Sequence, residues 1–255
     1  MIIDSGIVND YLNDNEISGH WLFSSIEEGR QLFVKPRASL KPAVREVMTE
    51  INHSLEDFVP FNRALYSDLF PNWQSVMKRI NVLLAVGCPP PYDAMVREHD
   101  GEEFVIFDLV RFNAYKEEGS DLVRLARSLI THESAHVCLH NRHRPTKDDY
   151  ISKLKYITFD EGFAHFVSFA EDVMSFDFTD VISKYYLKSL CRLKCALDET
   201  DAEKRISLLV EANSGGYWDK YAAISGMLFL AQNKAHITEI YKGGADGMFV
   251  RMGII

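Results

Sequence analysis

Residues Ser120–Asn141 read SDLVRLARSLITHESAHVCLHN, and the rest of the chain is interpreted outward from them. Leu122, Leu125, Ala126, Leu129 and Ile130 recur at three- and four-residue spacing, and Val137 and Leu139 extend the run, which predicts one amphipathic helix. Ser120 is the expected N-cap, and Asp121 is a first-turn acid facing the positive end of the helix dipole. Arg144-Pro145 is expected to prevent continuation much beyond Asn141.

His132 and His136 are four residues apart on that helix, so their imidazoles leave from one face and can converge on one metal ion. Glu133 reaches the same side, where it can hold a water against that ion. His140 continues the stripe by one turn; it is a rival ligand, or a charge partner for the helix C-terminus. A hydrolytic zinc site needs three protein ligands and an exchangeable position, so a third donor is expected. Glu161, 25 residues after His136, leaves room for the chain to return antiparallel. Its competing role is in a capping box with Thr158. His165, one turn beyond Glu161, is an alternative ligand or faces substrate, and Asp160 either orients a ligand imidazole or caps a helix.

The 255 residues carry a formal charge of −9, which gives no support for a nucleic-acid partner. The amino-terminal residues lack a basic segment and a long apolar run, so neither a secretory signal nor a membrane span is expected. Cys88, Cys138, Cys191 and Cys195 are too few and too scattered for a disulfide framework. Free thiols and a cytoplasmic setting are the simplest expectation, with core packing favoured for Cys191 and Cys195.

Residues 1–33 read as a packing segment of undefined form. Val44, Val47, Met48, Ile51 and Leu55 predict a helix over 43–58, followed by a short helix over 62–79 interrupted at Phe70-Pro71. Ile80–Val86 is a candidate buried strand, and Asp100-Gly101 is a hairpin turn ahead of a strand over Phe104–Phe112. After the motif helix, 142–155 is expected to be a polar connection, Lys153–Phe159 partly extended, and Asp160 to about Val173 a helix. Helices are further predicted over 181–197, 203–212 and 217–232, and a turn-rich tail from Lys242. Gly226 is read as a place where one helix can pass close to another.

The segment His132–His136 followed by Glu161-Gly162-Phe163-Ala164 resembles the gluzincin branch of zinc peptidases, the thermolysin-like and aminopeptidase-like superfamily. The likeness covers roughly Phe104 to Glu171. Tyr217–Leu230 also resembles the helix behind the site in compact members. The resemblance implies a zincin-like α+β fold: a small mixed or antiparallel sheet packed on the metal helix, then a mainly helical C-terminal lobe. It implies zinc on His132, His136 and Glu161, Glu133 as the general base, and Phe104–Leu109 as an edge strand aligning a peptide or protein substrate. The interval before Glu161 is longer than in the shortest thermolysin-like pattern. No Gly-Ala-Met-Glu-Asn-type exopeptidase segment precedes the metal helix, so binding of a free amino terminus is not expected. Tyr217 is the first choice to stabilise the oxyanion and Tyr156 the next, with Tyr221 and His236 also available. The expected organisation is a mixed region over 1–118 and a helical zinc-binding lobe over 119–255, together one catalytic domain. The alternatives are a zinc hydrolase acting on a non-peptide amide and a noncatalytic zinc-stabilised binding or regulatory domain. Oligomeric state is not legible.

Overall fold

Val82, Leu83, Leu84 and Ala85 are buried one after another, the pattern of a strand covered on both faces. They belong to β2 (Asn81–Ala85), which lies between two parallel partners, β1 (Ile2–Asp4) and β4 (Glu102–Asp108). β3 (Ala94–His99) pairs antiparallel with β4 through a two-residue turn in which Asp100 and Gly101 both have positive φ, at 52° and 79°. The sheet is therefore mixed and four-stranded, in the order β1-β2-β4-β3, within an α+β chain. The structure is a computed structural model and describes residues 1–27, 29–56, 58–144 and 147–254.

This order corrects one expectation. β4 has both of its edges paired, so Phe104–Leu109 is an interior strand and cannot receive a peptide by strand addition. The apolar run also stops earlier than Phe112. Asp108 caps α6 (Leu109–Glu117), its Oδ1 accepting from the backbone N–H groups of Val110 and Arg111 at 3.0 Å each.

The chain forms two compact units. One comprises 1–60 and 74–134. In it the sheet is accompanied by α1 (Gly6–Leu12), α2 (Leu22–Ser25), α3 (Lys41–Glu56) and α6. α3 buries Val44, Val47, Ile51 and Leu55 as its spacing predicts, and Lys116 of α6 reaches Glu46 at 2.8 Å and also pairs with Glu50. The segment read as formless at the amino terminus contributes a strand and two helices. β1 is only three residues long, too short for a period to show.

The other unit comprises 61–73 and 135–255. It contains α4 (Arg63–Leu69), then α8 (Tyr150–Ser168), α9 (Thr179–Asp198), α10 (Ala202–Glu211), α11 (Tyr221–Gln232) and α12 (Ile237–Arg251). The short α5 (Trp73–Met77) and the long α7 (Leu122–His140) each begin in one unit and end in the other. α11 is buried from Tyr221 to Ala231, apolar on all sides as a central helix must be. It crosses α8 at closest approach between two glycines: a methyl group built on Gly226 would stand 2.0 Å from the Thr158 carbonyl oxygen, and one on Gly162 2.8 Å from the Gly226 Cα. The expectation for Gly226 is met, and Gly162 supplies the other half of the crossing.

Several boundaries differ from the sequence reading. Asp121, not Ser120, caps α7: its Oδ1 accepts from the Arg124 N–H at 3.0 Å. Pro145, the expected stop, lies outside the described residues; α7 ends at His140, with the Arg142 and His143 N–H groups both on the Leu139 carbonyl. Residues 153–159 are helical, because Asp149 caps α8 through the Ser152 N–H at 3.0 Å and starts it ten residues before Asp160. The tail from Lys242 is also helical. Glycine at 243, 244 and 247 suggested turns, yet only Gly244 leaves helical geometry, kinking α12 at φ 63°. Cys191 and Cys195 are exposed on α9, whose inner face is Ser189, Leu193 and Ala196; all four cysteines are free thiols. Among the described residues no helix is long and apolar enough to cross a membrane.

Candidate metal centre

α7 carries His132, His136 and His140 at successive turns, and α8 carries Asp160, Glu161 and His165. Glu161 is mid-helix, not at a helix start, and Thr158 spends its hydroxyl on the Leu154 carbonyl at 2.9 Å, so the capping-box role is excluded. The Glu161 carboxylate instead faces histidines. Its Oε1 lies 3.8 Å from His136 Nε2 and its Oε2 3.5 Å from His165 Nε2. His132, Glu161 and His165 form one group of potential ligands whose donor atoms lie within 4.8 Å of one another. A second such group is His136, His140 and Asp160, so among the described residues no one group holds His132, His136 and Glu161 together.

His136 has an assigned partner on its other nitrogen. Asp160 Oδ2 lies 2.8 Å from His136 Nδ1, which leaves Nε2 turned toward Glu161. This is the arrangement in which a carboxylate holds the tautomer and direction of a ligand imidazole. Asp160 is 7% exposed. Burial works against its ionised form, but the His136 ring and then the His140 ring outweigh it and hold the carboxyl far below the usual range. The capping alternative for Asp160 is excluded by its position in the interior of α8.

Asn213 is a residue that the sequence reading missed in this role. Its Nδ2 donates to Glu161 Oε1 at 3.0 Å, bracing the carboxylate from the turn after α10. In sequence it looked only like part of an Asn-Ser-Gly-Gly break, and an asparagine in a turn gives no sign of a partner 52 residues away.

Glu133 is half-buried on α7 between the two histidines. Tyr217 lies in a single 3-10 turn, its ring packed edge-on against His165 with centroids 5.1 Å apart. The residue is 40% exposed overall, while its hydroxyl is enclosed 3.7 Å from the Met227 sulfur. That enclosure pushes the phenol up, so it remains a proton donor at neutral pH. Tyr156 is half-buried with its ring 6.1 Å from His140, on the Asp160 side of the cluster. Tyr221 is removed from the list of donors because its hydroxyl is committed to the Leu208 carbonyl at 2.8 Å. His236 is exposed and faces Glu239 at 3.6 Å.

The histidine and carboxylate groups could hold a metal ion, and the pair His136–Glu161 offers one nitrogen and one oxygen donor to it. Zinc bound at about 2.0–2.2 Å by nitrogen and oxygen in a tetrahedron separates its ligands by roughly 3.3–3.6 Å. The observed 3.8 Å between His136 and Glu161 needs only a few tenths of an ångström of closure. No protein-family model, curated protein or solved structure matches the chain.

Proposed function

We propose that the protein is a zinc-dependent hydrolase of peptide bonds, built on the gluzincin plan with His132, His136 and Glu161 as ligands and a zincin-like relation of helix and sheet. The observation that carries this reading is the two-sided setting of His136, with Asp160 on Nδ1 at 2.8 Å and Glu161 opposite Nε2 at 3.8 Å. A histidine held this way presents Nε2 to an ion beside Glu161.

Zinc in this set would supply Lewis acidity toward a water and a carbonyl oxygen. Glu133, one residue from His132, takes the proton from the attacking water and delivers it to the leaving nitrogen. Tyr217 donates to the oxygen that gains negative charge; its present contact, a thioether, is a weak acceptor and surrenders the hydroxyl at little cost. Tyr156 is the second candidate for that donor.

Glu133→Gln tests the assignment. The variant is expected to keep zinc, measured by elemental analysis, and to lose peptide turnover by about 10²- to 10⁴-fold. Unimpaired turnover in the folded, zinc-loaded variant would refute the assigned base. His136→Ala is expected to lose zinc first and activity with it; full zinc occupancy would remove His136 from the ligands.

A second reading has its own observation. His165 belongs to the group with His132 and Glu161, and if it ligates together with His136 the four donors close the coordination shell and zinc becomes structural. His165→Ala separates the two. In the hydrolase zinc stays bound, whereas in the structural site affinity falls with the lost ligand. A panel of peptide and small amide substrates identifies the leaving group.

A further inference from the structure

We propose that His136, His140 and Asp160 form a second divalent-cation site, one helical turn from the set proposed above. It rests on that reading only in sharing His136, and all three of its residues lie within one compact unit. His136 and His140 repeat on α7 the four-residue spacing of His132 and His136, and Asp160 immediately precedes Glu161 on α8. The donor atoms of the three residues lie within 4.8 Å of one another.

Two imidazoles converge on one carboxylate oxygen. Asp160 Oδ2 is 2.8 Å from His136 Nδ1 and 3.5 Å from His140 Nε2. The second distance is at the limit for a hydrogen bond, but it matches the roughly 3.3–3.6 Å between two ligands on one zinc ion. The same carboxylate has an unanswered atom: Oδ1 is buried and accepts no hydrogen bond from the described residues. A buried carboxylate oxygen without a donor is costly, and a cation held by both oxygens of Asp160 removes that cost. Two imidazoles with one carboxylate suit zinc, cobalt or nickel better than magnesium or calcium.

A cation here replaces the Nδ1 proton of His136, which is released to solvent as the hydrogen bond to Asp160 breaks, while Nε2 remains directed at Glu161; with both ions bound the ring is a bridging imidazolate. The His136 ring then stands between two ions. The second ion has to break an existing bond, so it binds at least tenfold more weakly than the first.

The test is equilibrium dialysis of the metal-free full-length protein against zinc, with bound metal counted by elemental analysis. His140→Ala and Glu161→Gln are compared with the parent, and circular dichroism establishes that each variant is folded. Two ions are expected in the parent, one in His140→Ala and one in Glu161→Gln. A parent that saturates at one ion, with Glu161→Gln binding none and His140→Ala still binding one, overturns the second site and leaves the first. If the parent and Glu161→Gln each bind one ion and His140→Ala none, the second site stands and the catalytic reading fails. Equal binding by His140→Ala and the parent overturns the proposal. The exposed pairs His53–Glu56 and His236–Glu239 are controlled by His53→Ala/His236→Ala, and loss of the second ion in that control also overturns it.

Discussion

Replacing Gly226 by alanine tests whether the α8–α11 crossing holds the candidate site together. The added methyl group would stand 2.0 Å from the Thr158 carbonyl oxygen, 2.9 Å from the Gly162 Cα and 3.1 Å from the Thr158 carbonyl carbon. Cβ contacts below 3.0 Å are essentially never adopted, so the helices must separate by about 1 Å. All three colliding atoms are backbone, so no side chain can swing aside. An interface opened by about 0.5–1 Å forfeits roughly a quarter to a half of its dispersion attraction, and overpacked cores lose about 1–3 kcal/mol. The upper end applies to a rigid carbonyl. Alanine returns about 1 kcal/mol through its better helix propensity, which leaves a net loss of about 2 kcal/mol.

Urea unfolding of the metal-free protein measures that loss without interference from metal binding. Because α8 carries Asp160 and Glu161, its displacement also shifts the two carboxylates out of register with His136, and zinc affinity is expected to fall by about tenfold or more. Gly162→Ala serves as the graded comparison. Its closest contacts are 2.8 Å and 2.9 Å, so it is expected to lose less, about 1 kcal/mol. A Gly226→Ala protein within about 0.5 kcal/mol of the parent would refute the close crossing, and unchanged zinc affinity in a destabilised variant would separate the crossing from the site.

Gly247 lies in α12, and a methyl group added there would meet nothing within 4 Å, so Gly247→Ala is expected to raise stability by about 0.5–1 kcal/mol in the same urea assay; a loss would contradict the open surroundings. Asp160→Asn keeps the shape of the partner of His136 but removes its charge, and zinc affinity at the first site is expected to drop about 10- to 100-fold in a competition assay with a chromophoric chelator; unchanged affinity would show that Asp160 does not orient the ring. Burial raises the Asp108 carboxyl from 3.8 to about 6, against the opposing hydrogen bonds from Cys88, Arg111 and Val110. The folded state therefore binds the extra proton, and this contribution to stability is complete below pH 4 and lost as pH rises through about 6. The displacement is worth about 3 kcal/mol at about 1.4 kcal/mol per pH unit, and Asp108→Asn should flatten that part of the stability profile; parallel profiles for the two proteins would refute it.

Legibility from sequence followed the range of the interactions involved. α3, α7 and α9 present their apolar residues at helical spacing, a property of neighbouring residues, and all three were visible. The Asp100-Gly101 hairpin was equally local. The start of α8 was not, because its first ten residues include Lys153, Lys155 and Tyr156, whose polarity suggested a connection. Their helix is secured by the Asp149 cap and by burial of Leu154 against Leu193, Ala196 and Ala222 on other helices. Strand order was also hidden. Nothing in Phe104–Asp108 states that β2 lies on one side and β3 on the other, and that order decides whether the strand can meet a peptide.

The candidate site divides along the same line. Spacing on one helix was enough to align His132, His136 and His140, and the order of the motifs pointed to Glu161. Which nitrogen of His136 faces which carboxylate depends on the rotation of α8 about its axis, and α8 is seated against α11 by the Gly162–Gly226 contact. Two adjacent acids, Asp160 and Glu161, project about 100° apart on a helix. With α8 seated in this rotation, Asp160 meets Nδ1 while Glu161 lies opposite Nε2. The glycines therefore bear on the candidate site without contributing a donor atom: they fix how closely the helix that carries the two carboxylates packs on α11.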